Sequence, residues 1–336
     1  MVDLACDWLG LRLANPFVVG ASPLCDRLED AEAFVEAGAG AVVMHSLFEE
    51  QLIADQLATQ RLLDSTIDIN AEASSFMVDT DVFSQSANPT LQNLQRLAET
   101  LEVPVLGSLN GVSPGGWTYH AHEIAQHGAA ALELNLYDVA TDPSLTGAAI
   151  EQRQLQVVAA VVDAVDIPVS VKLSPFYASV PAFVARLHDA GASGVVVFNR
   201  FYQPDLDLET LDYERHLVLS SPAELPMRLH ALAILHGQND LSLAVTGGVH
   251  SGADAAKAIL CGAHAVQSVS ALLRGGPEHL RAMTTELAAW LDEHGYRNLE
   301  EARGATSVGN CANPHELERL NYASLLHSWG APDSTR

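Results

Sequence analysis

The sequence predicts an α/β fold, a (β/α)8 TIM barrel with long βα insertions after the second and sixth strands. Three observations carry this expectation. Eight short β-rich apolar runs alternate with alanine- and leucine-rich amphipathic runs, which is the pattern of parallel βα units. Four amphipathic runs pass through glycine into the next apolar run, in "EAGAGAVV", "QHGAAALEL", "DAGASGVVV" and "LCGAHAVQ". This is a C-cap glycine followed by a short αβ loop. Polar residues recur at the C-terminal ends of the apolar runs, where a barrel assembles its site. A doubly wound sheet is built from similar units, and the count of eight favours a closed ring.

In order, the strands are "PFVVGAS" at 16–22, "AVVMHS" at 41–46, "VPVLGSLN" at 103–110 and "ALELNLY" at 131–137. The second four are "IPVSVKLS" at 167–174, "GVVVFNR" at 194–200, "LSLAVTGG" at 241–248 and "AVQSVSAL" at 265–272. Helices are predicted at 28–37, 90–100, 119–127, 149–165, 180–190, 224–236, 252–261 and 277–294. Residues 47–88 and 201–223 are long polar or acidic stretches that would lie over the mouth of the barrel. The barrel is assigned to 1–295, and 296–336 is read as a C-terminal extension with one helix, "NPHELERLNYASLLHSW", packing on the barrel or on a second subunit.

Composition narrows the function classes. With 17 basic and 42 acidic residues the net charge is −25, so a surface that tracks nucleic-acid phosphates is not expected. The four cysteines, Cys6, Cys25, Cys261 and Cys311, show no paired spacing for a disulfide framework or an iron–sulfur centre. The N-terminus carries acids where a signal peptide needs positive charge, and no apolar run is long enough to span a bilayer, so a cytoplasmic protein without membrane attachment is expected. His120, His122 and His127 lie close together in "YHAHEIAQHG", but on a helix His122 turns away from the other two. A solvated helix surface is therefore favoured over a metal site, and no metal is expected.

The strand ends bring together Ala21 and Ser22, His45 and Ser46, Asn110, Asn135, Lys172, Asn199, Gly247 and Gly248, and Val269 and Ser270. The set is rich in amides, with one lysine and a glycine pair whose backbone N–H groups suit a phosphate. It matches a flat, heteroatom-rich cofactor with a phosphate tail, although a tight turn also explains the glycines. The ordered motifs "NPFVVGAS", "LELN", "VKLSP", "FN" and "TGGV…AILCGAHAVQSVSALLRGG" resemble those of the dihydroorotate dehydrogenase family of FMN-binding barrels, over about residues 13–295. The resemblance implies FMN as cofactor, a small-molecule substrate, hydride transfer between a substrate C–C bond and flavin N5, a place in pyrimidine biosynthesis, and a homodimer. It implies that Lys172 faces the flavin's pyrimidine edge, that Gly20 to Ser22 lie against the ring, and that Gly247, Gly248, Val269 and Ser270 hold the phosphate. His45, Ser46 and Asn110 are further cofactor candidates. Asn135 and Asn199 would serve flavin or substrate, or cap their own loops.

The chain departs from the family where the substrate proton is removed. The family's pattern Asn-x-Ser-[Cys/Ser]-Pro-Asn is here "NLYDVA", with Asn135 kept, Tyr137 and Asp138 in place of the serine and the base, and Ala140 in place of the last asparagine. Asp138 is the candidate base if burial raises its pKa, or else a solvated loop carboxylate; Tyr137 is a candidate acid or a stacking ring. The substrate loop after the second strand is replaced by "DINAEASSFMVDTDVFSQS", where Asn70 is a substitute. His45 stands where one subclass has lysine. Arg200 either binds a substrate carboxylate or pairs with Asp205 or Asp207, and Trp117 is expected near the mouth. The second electron acceptor is unassigned. Two other readings remain open: a flavin-binding barrel of altered substrate or lost catalysis, and a flavin-free barrel enzyme using Lys172 for Schiff-base chemistry.

Overall fold

Valine, alanine and leucine bury both faces of eight short parallel strands, as a ring filled inside and covered outside by helices requires. The structure, a computed structural model, describes residues 2–48, 89–110, 114–136, 140–200, 204–214 and 217–317. The strands are β1 (Phe17–Val19), β2 (Ala41–Val43), β3 (Val105–Asn110), β4 (Ala131–Asn135), β5 (Val169–Lys172), β6 (Gly194–Val197), β7 (Ser242–Thr246) and β8 (Ala265–Ser268). Each pairs with its sequence neighbour, and β8 returns to β1 with Val266 beside Phe17 and Ser268 beside Val19, so the sheet closes. The (β/α)8 expectation is met.

The helices are α1 (Leu28–Glu36), α2 (Pro89–Thr100), α3 (Pro114–Gln126), α4 (Gly147–Ala164), α5 (Val180–Asp189), α6 (Leu225–Leu235), α7 (Gly252–Leu260) and α8 (Ser270–Glu293). Their starts show local causes. Thr146, Ser179 and Ser251 accept a backbone N–H three residues on, and α5 and α6 carry proline in the first turn.

Two elements differ from the sequence reading. The eighth strand stops at Ser268, and Ser270 opens α8 instead of extending a strand; Gly276 and Pro277 kink this helix near the predicted start at 277. The alternation in "VQSVSAL" resembles a strand but is half strand and half helix. Helix α3 starts at Pro114 and not at 119, which puts Trp117 in its first turn, buried at 6% exposure.

An antiparallel hairpin, Cys6–Trp8 with Leu11–Leu13, closes the N-terminal end of the barrel. Its turn places Leu9 and Gly10 at φ 56° and 74°. Leu9 donates its N–H to Ser242 Oγ at 3.1 Å, and its side chain lies so close to Gly194 that a Cβ there would come within 2.5 Å. The opposite, C-terminal end stays available for a site.

The insertion after β6 includes a small exposed hairpin, Asp205–Leu206 with Tyr213–Glu214. Of the insertion after β2, Leu47–Phe48 runs beside the end of β3, while Asn70 lies outside the described residues. At the C-terminus, Gly304 and Thr306 donate to carbonyls at the end of α7 and Val308 to one in α6, so this part of the extension lies on the barrel. Of the predicted helix at 313–329, the turn Pro314–Leu317 is described and 318–336 lie outside the described residues. No helix among the described residues is long and apolar enough to cross a membrane.

Burial is the main cause that pushes the His264 imidazole down to about 4, aided by the Arg303 charge. His236 is pushed down from its ordinary value for the same two reasons. The unfolded chain takes up protons on these rings near pH 6.5 and the folded chain does so only at lower pH, so stability falls as pH drops below about 6.5. For His264 the loss reaches the order of 3 kcal/mol near pH 4. His264 Nδ1 accepts the Leu243 N–H at 3.1 Å, a bond that asparagine can replace. Thermal unfolding of wild type and His264→Asn from pH 7 to 4.5 is expected to show a shallower loss for the variant; parallel curves would refute the assignment.

Candidate active site at the C-terminal end of the barrel

Two polar layers cross the barrel interior near the C-terminal strand ends. In the upper one, Ser46 and Ser108 share a hydroxyl hydrogen bond of 2.7 Å, and Asn135 Nδ2 donates to Ser108 Oγ at 3.0 Å and to the Leu109 carbonyl at 3.3 Å. Asn135 is 4% exposed. The β4–β5 register sets it directly beside Lys172.

The lower layer holds the charge. The Lys172 ammonium, on a side chain 8% exposed, donates to Glu133 Oε1 at 3.2 Å, and the Glu133 side chain is wholly buried. The other carboxylate oxygen accepts from Gln267 Nε2, which comes from β8. β4 and β8 lie on opposite sides of an eight-stranded ring, so these bonds cross the barrel interior. Gln267 Oε1 is buried without a donor among the described residues.

Sequence reading found Lys172 and Asn135 but missed Glu133, Gln267 and Ser108. A signal was present: glutamate within "ALELN" and glutamine within "AVQS" are unusual choices in strands buried on both faces.

The tips of β7 and β8 form the second part of the site. Gly247 and Gly248 have φ of 82° and 84°, values that favour glycine. Their packing reinforces this. A Cβ on Gly247 would lie 2.8 Å from the Arg228 guanidinium, and one on Gly248 would lie 2.6 Å from the Leu225 backbone nitrogen. Arg228, 3% exposed, donates to the carbonyls of Thr246, Glu224 and Phe198 and thereby joins the ends of β6 and β7.

Among the described residues the N–H groups of Gly247 and Val269 have no hydrogen-bond acceptor. Val269 caps α8 and Ser270 is its first residue, so the second tip is a helix N-terminus with free backbone donors. Ser270 Oγ accepts the N–H of buried Ser220, whose own hydroxyl meets His250 at 3.1 Å and accepts weakly from Gly248.

The remaining candidates divide. Ser22 is buried and donates to the Gly20 carbonyl at 2.9 Å, with Ala21 half-buried beside it. A Cβ on Gly20 would lie 2.8 Å from Val269 Cγ2, so this first strand end packs directly on the eighth. Asn110 and Asn199 are half-buried at their strand ends.

His45 is exposed and pairs through Nδ1 with Asp26 at 3.2 Å, in a cleft of about 390 Å³ lined also by Asn93, Arg96 and Ser46, the last of which joins it to the upper polar layer. For Arg200, the alternative of pairing with a nearby aspartate is corrected. Its guanidinium is held by both oxygens of Glu224 at 3.3 Å and by the Val218 carbonyl, not by Asp205 or Asp207, whose carboxylates accept nearby backbone N–H groups. Tyr137 and Asp138 lie outside the described residues. His122 and His127 make contacts within their helix, to Gln126 and to the Glu123 carbonyl.

The glycine positions allow a direct check of this geometry. Gly248→Ala adds a backbone clash to a left-handed φ and is expected to cost more than about 2 kcal/mol, whereas Gly10→Ala, where space is open, costs only the φ penalty of about 1 kcal/mol. Urea unfolding measures both, and equal losses would contradict the close approach of Leu225.

The family model for dihydroorotate dehydrogenase matches residues 3–291. A protein provisionally named dihydroorotate dehydrogenase A (fumarate), from Aeropyrum pernix, is 30% identical over 65% of this chain and 74% of its own. The dihydroorotate dehydrogenase B (NAD(+)) catalytic subunit of Methanothermobacter thermautotrophicus is 24% identical over 88% of this chain and 95% of its own, and that of Thermoplasma volcanium 26% identical over 90% and 98%. With nearly the whole barrel matched, the chain belongs to the dihydroorotate dehydrogenase family, as a divergent member.

Proposed function

We propose that this chain is an FMN-dependent oxidoreductase acting on a CH–CH bond, with dihydroorotate as the first substrate to test. The observation that carries the reading is Lys172, a buried ammonium fixed at the end of β5 beside Asn135. The residues fit the cofactor of the family, whose members are flavoproteins. The acceptor-free N–H groups of Gly247 and Val269 suit its phosphate, and the polar interior suits the heteroatom edge of its ring.

When bound, FMN supplies the acceptor for the substrate's hydride. Lys172 would hold positive charge at the pyrimidine edge, where negative charge grows on reduction. Gly20 to Ser22 would lie against the ring. Asn135 and Asn199 would orient substrate or ring through their amides. Arg200, paired with Glu224 at the end of β6, would take a substrate carboxylate only by exchanging or sharing that partner.

Asp138, with Tyr137 beside it, is the proposed proton acceptor from substrate carbon. Their presence where the family pattern has serine and cysteine favours an altered substrate as the second reading. The Schiff-base reading is disfavoured, because an amine donating to a buried carboxylate at 3.2 Å is a poor nucleophile. The named relatives differ between fumarate and NAD(+), so the second acceptor stays unassigned.

Anaerobic titration of the FMN-loaded protein with dihydroorotate, followed by visible absorbance, tests the reading directly. Bleaching supports the family reaction; a protein that binds FMN and stays yellow moves the function to another substrate. Lys172→Ala is expected to slow reduction by at least tenfold, and an unchanged rate and FMN affinity would remove Lys172 from the site. For the base, Asp138→Asn should lower turnover by two or more orders of magnitude. Turnover that persists with the wild-type pH profile excludes Asp138.

A further inference from the structure

We propose that Glu133 is a positioning residue for the flavin site: together with Gln267 it fixes the Lys172 ammonium at the height where it meets the ring. The inference rests on the flavin reading above. Lys172 is joined to the barrel by a long flexible stem, and an ammonium on such a stem has many accessible rotamers. Only a directional contact selects one. Glu133 sits two residues before Asn135 on the neighbouring strand, in register with Ser170, so its carboxylate draws the lysine inward and back along the barrel axis.

The carboxylate is itself held. One oxygen faces Lys172 and the other accepts from Gln267, which reaches in from β8. Three strands thus share one chain of charge-assisted hydrogen bonds directly beneath the upper Ser46–Ser108–Asn135 layer. An apolar side chain at 133 would fill the interior without the desolvation cost of a buried carboxylate. What glutamate adds is direction and charge at one point, the lysine. Glu133 does not touch the ring in this arrangement; it acts through Lys172.

Sulfite tests this without turnover, since it adds reversibly to bound oxidised flavin, bleaches it and leaves negative charge on the ring that a nearby cation stabilises. Wild type, Glu133→Gln, Lys172→Met and the double variant are loaded with FMN, and the sulfite dissociation constant of each is measured by absorbance. Glu133→Gln is expected to weaken sulfite binding at least fivefold, toward the Lys172→Met value, and to add nothing in the Lys172→Met background.

Unchanged or tighter sulfite binding in Glu133→Gln overturns the proposal, as does an equal weakening in the Lys172→Met background. If Glu133→Gln does not fold, Glu133→Asp is read in its place. At least twofold weaker binding is then expected, and an unchanged constant overturns the proposal. Wild type that takes up no FMN defeats the flavin reading and this inference together, whereas wild type that binds FMN and sulfite beside an unchanged variant defeats this inference alone.

Discussion

A closed ring of eight strands has an interior that water reaches only from its ends, and a charged group placed there depends on partners from other strands of the ring. This constraint governs the site. The Glu133–Lys172–Gln267 chain satisfies a carboxylate and an ammonium from three strands, two of them on opposite walls. Removing Glu133 or Lys172 would leave the other's buried charge unpaired, which costs several kcal/mol in a typical protein interior. The lysine is therefore fixed by the same bonds that make its burial tolerable. The upper serine–asparagine layer rests on the same strands, so its geometry follows from the same registers.

A second constraint acts at the ends of β6 and β7. The glycine pair needs both a left-handed backbone and close packing, and Arg228 supplies much of that packing while tying three carbonyls together. Burial pulls the Arg228 guanidinium down from its ordinary value, and the Glu224 charge acts against that shift. Glu224 also holds Arg200, so one carboxylate serves both arginines. In a chain with a net charge of −25, these arginines serve as staples between strand ends and not as a surface for anionic partners.

The barrel was legible because its strands are short, apolar and evenly separated by amphipathic helices. Lys172, Asn135 and the glycine pair were legible because they stand at strand ends, where polar residues interrupt an apolar run. Glu133 and Gln267 were not, because each lies within a strand and gains meaning only from a partner 39 or 134 residues away. Glu224 was not legible as a partner for Arg200 for the same reason, since it is 24 residues on. The element boundaries at Ser270 and Trp117 were missed for a different reason. "SAL" and "PGGW" look like strand and loop, but both belong to the first turns of helices, where local pattern is shortest.

The division of labour between strands and loops explains how a divergent member of the family can keep one half of its chemistry and change the other. Lys172 and Asn135 are held by strand registers on both sides, and the glycine turn by Arg228 and Leu225. Those positions stay fixed whatever the loops carry. The proposed base, Asp138, follows β4 by three residues in the sequence, after the last register pair at Asn135. On the proposed reading, a substitution there would change which carbon acid can be deprotonated, while the registers that hold Lys172 and the packing that holds the glycine turn come from other residues. On that reading specificity and proton transfer are separable from the proposed cofactor chemistry, since the departures at 137, 138 and 140 follow β4 in the sequence and the strand registers end before them.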